Sequence, residues 1–380
     1  MTIKILFKLF LLSVLILFTL EVILRFQQRI GPIIDLEFEK VSLDSLSDLT
    51  NHKNSGESTP FLNGRKIKKV YDNYGIRIDK SAPNYLNYNQ TFKILCMGDS
   101  SMEGFDDEHT IPHYIQEYLQ KTKLRDVPIR LLNAGCSSYS PAIFIPQAKM
   151  LMPLLKPDFV VIDIDETDLG DDFIRYKDLI VRNEAGEIIA VRYTPIDYLF
   201  LSGFLKIKKQ PLYITRLFSK IYHTRIYMPV VSEEYRRKDP RHMLSFSWDK
   251  NGSYEKYATE ISFFENNLAE LVETFIDLMG EKRRILFIYH PHFQHIMPDA
   301  SGFYWNNFVS STIKKVCERY QIAFYNTTED LKKSFKNDQR KYYIANDMHF
   351  NYEGLEVYSY FVADRIFLMI GPLIKENKKN

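Results

Sequence analysis

Cysteine is scarce in this sequence, with three residues among 380 and no CxxC pair. Three cysteines cannot form a disulfide framework, and Cys96 and Cys136 lie in or beside apolar runs, where a small buried thiol is expected. Glycine (15) and proline (16) are too few for a fibrous or low-complexity protein. An excess of one charge is also lacking, because 50 Lys and Arg face 48 Asp and Glu. The net charge of +2 argues against nucleic acid as a partner bound by bulk charge.

The amino-terminal segment departs from the ordinary globular composition of the chain. Residues 5–24 form a run of about twenty residues, the length that a helix needs to cross a bilayer core, and only Lys8 and Glu21 interrupt it with charge. A cleavable signal peptide would have a shorter apolar core and a small-x-small cleavage site, and nothing after Leu24 fits that pattern. We therefore predict that residues 1–30 form an uncleaved, single-pass membrane anchor.

Charges flank this run on both sides, with Lys4 and Lys8 towards the amino terminus and Arg25 and Arg29 behind it. The positive-inside rule thus barely distinguishes the two orientations. A short amino-terminal tail favours an extracytoplasmic location for the large domain that follows.

Five short apolar runs alternate with amphipathic stretches in the rest of the chain. The runs predict strands at residues 92–98, 129–135, 158–165, 284–290 and 322–327. Helical spacing predicts helices at 110–121, 142–155, 255–279, 303–320 and 352–370. This alternation predicts an α/β fold, a doubly wound, flavodoxin-like parallel sheet of five strands with helices on both faces. We divide the chain into the anchor, a tether and lead-in at 31–90, and an α/β domain at 91–370 with an insertion at 173–250.

Polar residues that could take part in catalysis follow the predicted strands, at the edge where ligands bind in sheets of this kind. Ser100 comes directly after the first strand, and Asp347 and His349 precede the last helix. A Ser hydroxyl becomes a nucleophile when a base takes its proton and a carboxylate orients that base. Each residue alone also has a plain structural explanation, as a turn, a helix cap or a surface histidine. Their joint placement at strand ends favours a catalytic site.

The same segments resemble the sequence blocks of the SGNH (GDSL-type) hydrolase superfamily, in its membrane-anchored, exported branch. The resemblance rests on four short motifs: Asn73-x-Gly75-x-Arg77, Gly98-Asp99-Ser100 with Gly104, Asn133-Ala134-Gly135, and Asp347-x-His349 with Asn351 and Gly354. It implies that Ser100 is the nucleophile, His349 the base and Asp347 its orienting partner. It also implies that the backbone N–H groups of Ser100 and Gly135 bind the oxyanion, and that neither a metal nor another cofactor is needed.

Two blocks depart from the family pattern. The third usually reads G-x-N-D, whose Asn donates to the oxyanion, but here it reads Asp165-Glu166-Thr167-Asp168. Thr167 takes the place of that donor with a shorter, more restricted side chain, so we expect a slow enzyme. The last block has one residue between Asp and His rather than two, as in exported acetyltransferase-like relatives. Asn346 stands where Asp is more usual, which leaves Asp347 as the partner of His349.

Part of the insertion is basic and aromatic. Residues 201–241 contain ten Lys and Arg against three Asp and Glu, an excess of +7. Aromatic residues are interleaved with these charges at Phe204, Tyr213, Phe218, Tyr222 and Tyr227. One interpretation is a cap that binds an anionic or sugar polymer, or that lies on anionic lipid. The other is a small subdomain with a solvated basic face.

Three histidines, His290, His292 and His295, follow the fourth predicted strand. No carboxylate or cysteine companion lies at a familiar metal-site interval. We therefore expect loop histidines near the substrate, or a surface cluster, rather than a metal site.

Three functions remain open at this level. The first is a membrane-tethered serine esterase that removes acyl groups, with acetyl as the expected group, from a cell-envelope glycan or a related ester-bearing small molecule. The second passes the same acyl group to a glycan hydroxyl. The third is a non-catalytic envelope-binding protein of the same fold. The sequence carries no signal for the oligomeric state.

Overall fold

A computed structural model of the chain describes most of it and divides it into two compact units. The described residues are 3–30, 56–58, 61–62, 65–66, 69–72, 74–78, 91–192, 203, 206–231, 246–298, 301–335, 339–344 and 347–377. The larger unit comprises residues 48–192 and 240–380, and the smaller unit comprises residues 1–47 and 193–239. Asn73, Phe204, Asn346 and most of the predicted tether lie outside the described residues.

The larger unit is built on one mixed sheet, in the order β1-β4-β5-β7-β6-β8-β11-β12. In chain order, the strands of the protein are β1 (Gly56–Ser58), β2 (Phe61–Leu62), β3 (Arg65–Lys66), β4 (Lys69–Tyr71), β5 (Arg77–Ile78), β6 (Phe92–Met97), β7 (Ile129–Asn133), β8 (Phe159–Asp165), β9 (Ile180–Arg182), β10 (Ile188–Val191), β11 (Ile285–His290) and β12 (Ala323–Asn326). The strands β6, β7, β8, β11 and β12 pair in parallel, and β1, β4 and β5 extend the sheet antiparallel. β2 with β3 and β9 with β10 form separate hairpins.

Helices of the larger unit cover both sides of this sheet. In chain order, the helices among the described residues of both units are α1 (Ile3–Ile30), α2 (Ser100–Glu103), α3 (Ile111–Tyr118), α4 (Pro141–Leu155), α5 (Asp168–Gly170), α6 (Tyr213–Tyr222), α7 (Ala258–Met279), α8 (Phe293–Ile296), α9 (Phe308–Tyr320), α10 (Thr328–Phe335) and α11 (Tyr352–Asn377). α1 and α6 belong to the smaller unit. Short π-helical turns span Leu119–Lys123, Asp171–Tyr176 and His223–Tyr227, and 3-10 turns span Lys177–Leu179, Phe246–Trp248, Lys282–Arg284 and Gln339–Tyr342. In the larger unit α3 packs on α11, whereas α7 packs on α4 and α9.

The core follows from the alternation of side chains along buried strands. Every residue of β8 is buried, as expected for a central strand covered on both faces. In β6, Ile94 and Cys96 join the apolar cluster that includes the α3 and α11 side chains. Leu95, also fully buried, alternates with them and therefore points to the opposite face.

The prediction of five strands is not confirmed, because the sheet has eight strands within the part of the chain that the structure describes. Its five parallel strands fall on the five predicted runs, with ends that differ by one or two residues. The additional strands β1, β4 and β5 lie in the region predicted as tether and lead-in. They are two or three residues long, which is too short for an alternating pattern to be visible in the sequence. They form strands because they pair with each other and with β7.

Two helices among the described residues are long and apolar enough to cross a membrane, Phe7–Gln27 within α1 and Tyr352–Glu376 within α11. α11 is a core helix, since Tyr358, Val362 and Ile366 are fully buried against the sheet. α1 differs, because side chains that point in different directions around it, such as Phe7 and Ile16, are more than half exposed. The amino-terminal apolar helix is thus present, and its role as anchor stays a prediction.

The loop after β7 packs against α2 without room for another carbon atom. A Cβ on Gly135 would lie 2.6 Å from the carbonyl carbon of Met102, which is backbone and cannot swing away. Gly135→Ala should therefore lower the free energy of unfolding by about 1–3 kcal/mol, measured by denaturant unfolding of the full chain in detergent. Gly371→Ala is the matched control, because its Cβ would meet nothing within 4 Å in the middle of α11. This second change should leave stability equal or slightly higher, and an equal loss in both variants would contradict the packing argument.

Candidate active site

Ser100 is the first residue of α2, and its position is fixed by the turn that leaves β6. Asp99 caps α2, since its Oδ1 accepts from the Ser101 N–H at 2.8 Å. Gly104 ends the helix with φ +72°, a conformation that favours glycine, and its N–H donates to the Ser100 carbonyl. The tight strand-to-helix turn holds the Ser100 side chain at the carboxyl edge of the parallel strands.

The structure brings Ser100, His349 and Asp347 together. Ser100 Oγ lies 2.7 Å from His349 Nε2, and His349 Nδ1 lies 2.6 Å from Asp347 Oδ1. Asp347 Oδ1 also accepts from the His349 backbone N–H at 3.1 Å. With its proton on Nδ1, the neutral ring donates to Asp347 and leaves Nε2 free to accept from Ser100. The spacing of one residue between Asp and His is therefore compatible with a linear chain of hydrogen bonds.

Buried carboxylates set the protonation states around this chain. Burial, reinforced by the nearby Asp165 carboxylate, raises the pKa of Asp99 to about 7. The hydrogen bond with His349 lowers the pKa of Asp347 to about 2. Burial acts to lower the pKa of His349, but the Asp347 hydrogen bond and the Asp99 carboxylate outweigh it and raise this pKa above its ordinary value. Asp99 also contacts the nucleophile directly, with Oδ2 at 3.1 Å from Ser100 Oγ.

The third sequence block is arranged around the buried carboxylate of Asp165 and the imidazole of His292. The Thr167 hydroxyl donates to Asp165 Oδ1 at 2.7 Å, and so does its backbone N–H. The other oxygen of Asp165 accepts from His292 Nε2 at 2.9 Å. Burial opposes ionisation of Asp165, but the imidazoles of His292 and His290 hold the pKa of its carboxyl below the usual range. In this arrangement the hydroxyl proton of Thr167 is committed to Asp165 and is not presented to an oxyanion.

The expected backbone donor of the second block is also engaged. The Gly135 N–H donates to Asn133 Oδ1 at 2.9 Å, while Asn133 Nδ2 donates to the Met102 carbonyl at 3.0 Å. Asn133 thus ties the loop after β7 to α2. A substrate oxyanion would have to replace Asn133 as the acceptor from Gly135.

The three histidines do not form a surface cluster, because all are buried. Each instead faces a carboxylate from the end of β8. His290 Nδ1 lies 3.7 Å from Asp163 Oδ2, and His295 Nε2 lies 3.1 Å from Glu166 Oε1. No group of three or more metal-ligating side chains suited to a metal ion occurs within the described ranges. Sequence spacing missed these pairs because their members come from strands that are neighbours in space but far apart in the chain.

Sequence reasoning also missed two residues that support α2. Glu103 is fully buried at the end of α2, where it accepts from Lys69 Nζ at 2.9 Å and from the hydroxyls of Tyr71 and Ser137. Arg77, also buried, donates to the Phe105 carbonyl at 3.2 Å. The short strands β4 and β5 therefore brace the turn that carries Ser100. The only sequence signal was the weak Asn-x-Gly-x-Arg motif, whose Arg77 is one of these two residues.

A small pocket opens at this site, beside the nucleophile. Its lining is Ser100, Ser101, Gly104, Phe105, His290, His349, Phe350 and Leu355. Three of the lining side chains, Phe105, Phe350 and Leu355, are large and apolar, which suits a short acyl group better than a charged one.

No protein-family model matches the chain, and no curated protein sequence does. In structure the chain is similar to a lipase/acylhydrolase from Enterococcus faecalis, at 11% identity over 72% of this chain and 94% of that chain, with a TM-score of 0.39. It is similar to the acetylxylan esterase Axe2 from Geobacillus stearothermophilus, at 15% identity, 73% and 94% coverage and a TM-score of 0.41. It is also similar to the psychrotrophic esterase EstA from Pseudoalteromonas sp., at 12% identity, 73% and 98% coverage and a TM-score of 0.36. With identities this low, activity has to be inferred from the site itself.

The Asp99 carboxylate should set the pH at which Ser100 becomes reactive. His349 accepts the Ser100 proton only when neutral, and this form is lost as pH falls through the pKa of His349. Asp99→Asn keeps an oxygen for the Ser101 N–H but removes the carboxylate that raises this pKa at pH values where Asp99, with its own pKa of about 7, is ionised. The acid limb of Ser100 modification by a fluorophosphonate, followed from about pH 5 to 9, should therefore move to lower pH. Asp364→Asn, on the exposed side of α11, should leave the limb in place, and a shift of the Asp99→Asn limb to higher pH would refute the assignment.

Proposed function

We propose that this chain is a serine esterase of the SGNH type that acts through an acyl-Ser100 intermediate. The observation that carries the proposal is the hydrogen-bonded chain from Ser100 Oγ to His349 Nε2 at 2.7 Å, and from His349 Nδ1 to Asp347 Oδ1 at 2.6 Å. A nucleophile, a base and an orienting carboxylate in this geometry are the parts that acyl transfer requires.

The reaction proceeds in two halves. Ser100 Oγ forms a bond to the ester carbonyl carbon while its proton passes to His349 Nε2, which gives a tetrahedral oxyanion. As this intermediate collapses, the bond to the leaving alcohol breaks and His349 returns the proton to the alcohol oxygen. Water then attacks the acyl-Ser100 ester with the same proton exchange, and the carboxylic acid leaves. Asp347 keeps the Nδ1 proton in place and stabilises the imidazolium that forms in each half.

Oxyanion stabilisation is the weak part of this site. The Ser100 N–H lies at the start of α2, where backbone donors lack acceptors within the helix. The Gly135 N–H contributes once Asn133 releases it, and that exchange adds to the barrier. We infer a slow enzyme for this reason, and more from the engaged Gly135 than from Thr167 alone.

The proposed substrate is an acylated glycan of the cell envelope, with acetyl as the group removed. The small apolar pocket beside Ser100 supports a short acyl group, and the resemblance to exported SGNH proteins supports the glycan. We further propose that α1 anchors the chain in the membrane and that the catalytic domain is extracytoplasmic. Transfer to a glycan hydroxyl instead of water would use the same acyl-Ser100 intermediate.

Covalent labelling tests the nucleophile directly. A serine-directed fluorophosphonate should label the wild-type chain and not Ser100→Ala, because Ser100 Oγ lies 2.7 Å from Nε2 of the base His349. Ser101→Ala is the matched control, since Ser101 lines the same pocket and should remain dispensable for labelling. Ser100→Ala should also abolish hydrolysis of a simple acetyl ester. Equal labelling of wild type and Ser100→Ala would exclude the assignment, and labelling without turnover on a panel of esters would favour the non-catalytic alternative.

The Thr167→Val variant tests whether the Thr167 hydroxyl donates to the oxyanion or only stabilises the fold. Because the Thr167 hydroxyl donates to Asp165, we expect turnover to fall by much less than the hundredfold or more that loss of an oxyanion donor costs. The free energy of unfolding should fall by about 1 kcal/mol, the net contribution of one hydrogen bond. Thr167→Ser, which keeps the hydroxyl, should retain both properties. A hundredfold loss of turnover in a stable Thr167→Val protein, restored in Thr167→Ser, would show that the hydroxyl does serve the oxyanion.

A further inference from the structure

The smaller unit contains a helix that is fixed to the carboxyl-terminal part of α1. The Glu21 carboxylate accepts from the first backbone N–H groups of α6, those of Tyr213 at 3.1 Å and Ile214 at 2.9 Å. Arg25 pairs with Glu21 at 2.8 Å and donates to the Pro211 carbonyl at 3.1 Å. Glu21, which interrupts the apolar run, therefore caps α6, and Arg25, which follows the run, holds the residue before α6.

Apolar contacts reinforce this junction. Leu24 and Ile214 are buried against each other, with Leu20, Tyr213 and Leu217 packed around them. The Arg25 guanidinium also lies over the Tyr213 ring, 4.9 Å from its centroid. The first turns of α6 are thus joined to α1 near Gln27, where the apolar span ends.

Beyond this junction the chain carries an exposed apolar stripe. It consists of Phe218, Ile221, Tyr222, Ile226 and Val230, which are 47–66% exposed. Their spacing of three or four residues places them on one side of α6 and of the helical turns that follow to residue 231. We call this set the apolar stripe. Large apolar side chains grouped in this way on a surface mark an interaction site.

Charge around the stripe has one sign. Residues 203–231 contain Lys206, Lys208, Lys209, Arg216, Lys220 and Arg225, and no Asp or Glu. A helix with an apolar face, flanking aromatic rings and only basic charges is suited to the interface of an anionic bilayer. A protein partner would need its own acidic surface, whereas the bilayer lies at the end of α1 if α1 is the anchor.

We propose that α6 and the turns after it lie in the bilayer interface, with the apolar stripe among the acyl chains and the basic side chains on anionic headgroups. This inference rests on the proposed membrane anchor and adds to it a second contact surface. The Glu21 junction sets the depth of α6, because it ties the start of α6 to the last turns of the apolar span.

The test places an environment-sensitive nitrobenzoxadiazole label on the stripe of the full chain in phosphatidylcholine nanodiscs with and without phosphatidylglycerol. Phe218→Cys carries the label at an exposed position, and Glu318→Cys is the matched reference, on a side chain of α9 that is 68% exposed. The native Cys96, Cys136 and Cys317 are at most 1% exposed and will not compete for the label.

The label at position 218 should be quenched by doxyl lipid and protected from an aqueous quencher, and the label at position 318 should behave in the opposite way. Access of the aqueous quencher to position 218 would overturn the proposal. Protection from both quenchers would also overturn it, because the stripe would then be covered by protein, either a second copy or a partner. Carbonate washing of cell membranes that contain the full chain tests the anchor separately. A chain that stays in the membrane with position 218 in water refutes the interfacial helix alone, and a chain that washes off refutes the anchor.

A charge variant tests the anionic component. The variant changes Lys206, Lys209 and Arg225 together to Gln. In nanodiscs with phosphatidylglycerol, it should lower the ratio of lipid-contacting to water-exposed label by about fivefold for each charge removed. In pure phosphatidylcholine the ratio should not change. The control changes Lys121, Lys314 and Lys332 of the larger unit to Gln and should leave the ratio unaltered. An equal effect of both variants, or no dependence on the anionic lipid, would overturn the headgroup contact.

Discussion

The desolvation of three carboxylates at the end of β8 constrains the rest of the larger unit. Asp163, Asp165 and Glu166 are buried, and a buried carboxylate is costly unless donors or cations compensate it. The partners come from distant parts of the chain. Tyr358 of α11 donates to Asp163, His292 donates to Asp165, and Ser247 donates to Glu166. These contacts fix α11, the loop after β11 and the end of the insertion relative to the central strand.

These buried carboxylates affect the pKa values of residues in the candidate site. Asp165 lies close enough to help raise the pKa of Asp99, and Asp99 in turn raises the pKa of His349. The Asp165 carboxylate thus acts on His349 both directly and through Asp99, and it does not have to touch the substrate to affect the chemistry. Asp165 also accepts the hydrogen bond of the Thr167 hydroxyl, so that this hydroxyl is not available to donate to an oxyanion. In three dimensions, Thr167 supports a buried pair of a carboxylate, Asp165, and an imidazole, His292.

A comparable principle operates in the smaller unit, where Glu21 and Arg25 interrupt an apolar helix. Neither charge is left to solvent alone, because Glu21 caps α6 and Arg25 binds both Glu21 and the Pro211 carbonyl. Capping a helix with a carboxylate satisfies backbone donors and complements the positive end of the helix dipole. The insertion at residues 203–231 therefore has a structural dependence on the amino-terminal helix, which explains why these distant segments form one compact unit.

Local sequence patterns were enough to predict the α/β class, the five parallel strands, the core helices and the grouping of Ser100, Asp347 and His349, because buried strands and amphipathic helices have local periodicities and parallel strands end at one edge. Features that depend on contacts between distant segments could not be predicted in this way. The short strands β4 and β5 carry no periodic signal and exist through pairing with each other and with β7. The sequence predicted loop or surface positions for His290, His292 and His295. In the structure β11 pairs with β8, and each of these histidines therefore lies close to a carboxylate at the end of β8. The engagement of Gly135 with Asn133 and of Thr167 with Asp165 is likewise decided by side-chain geometry, since a motif names residue types and not the partners that their hydrogen bonds select.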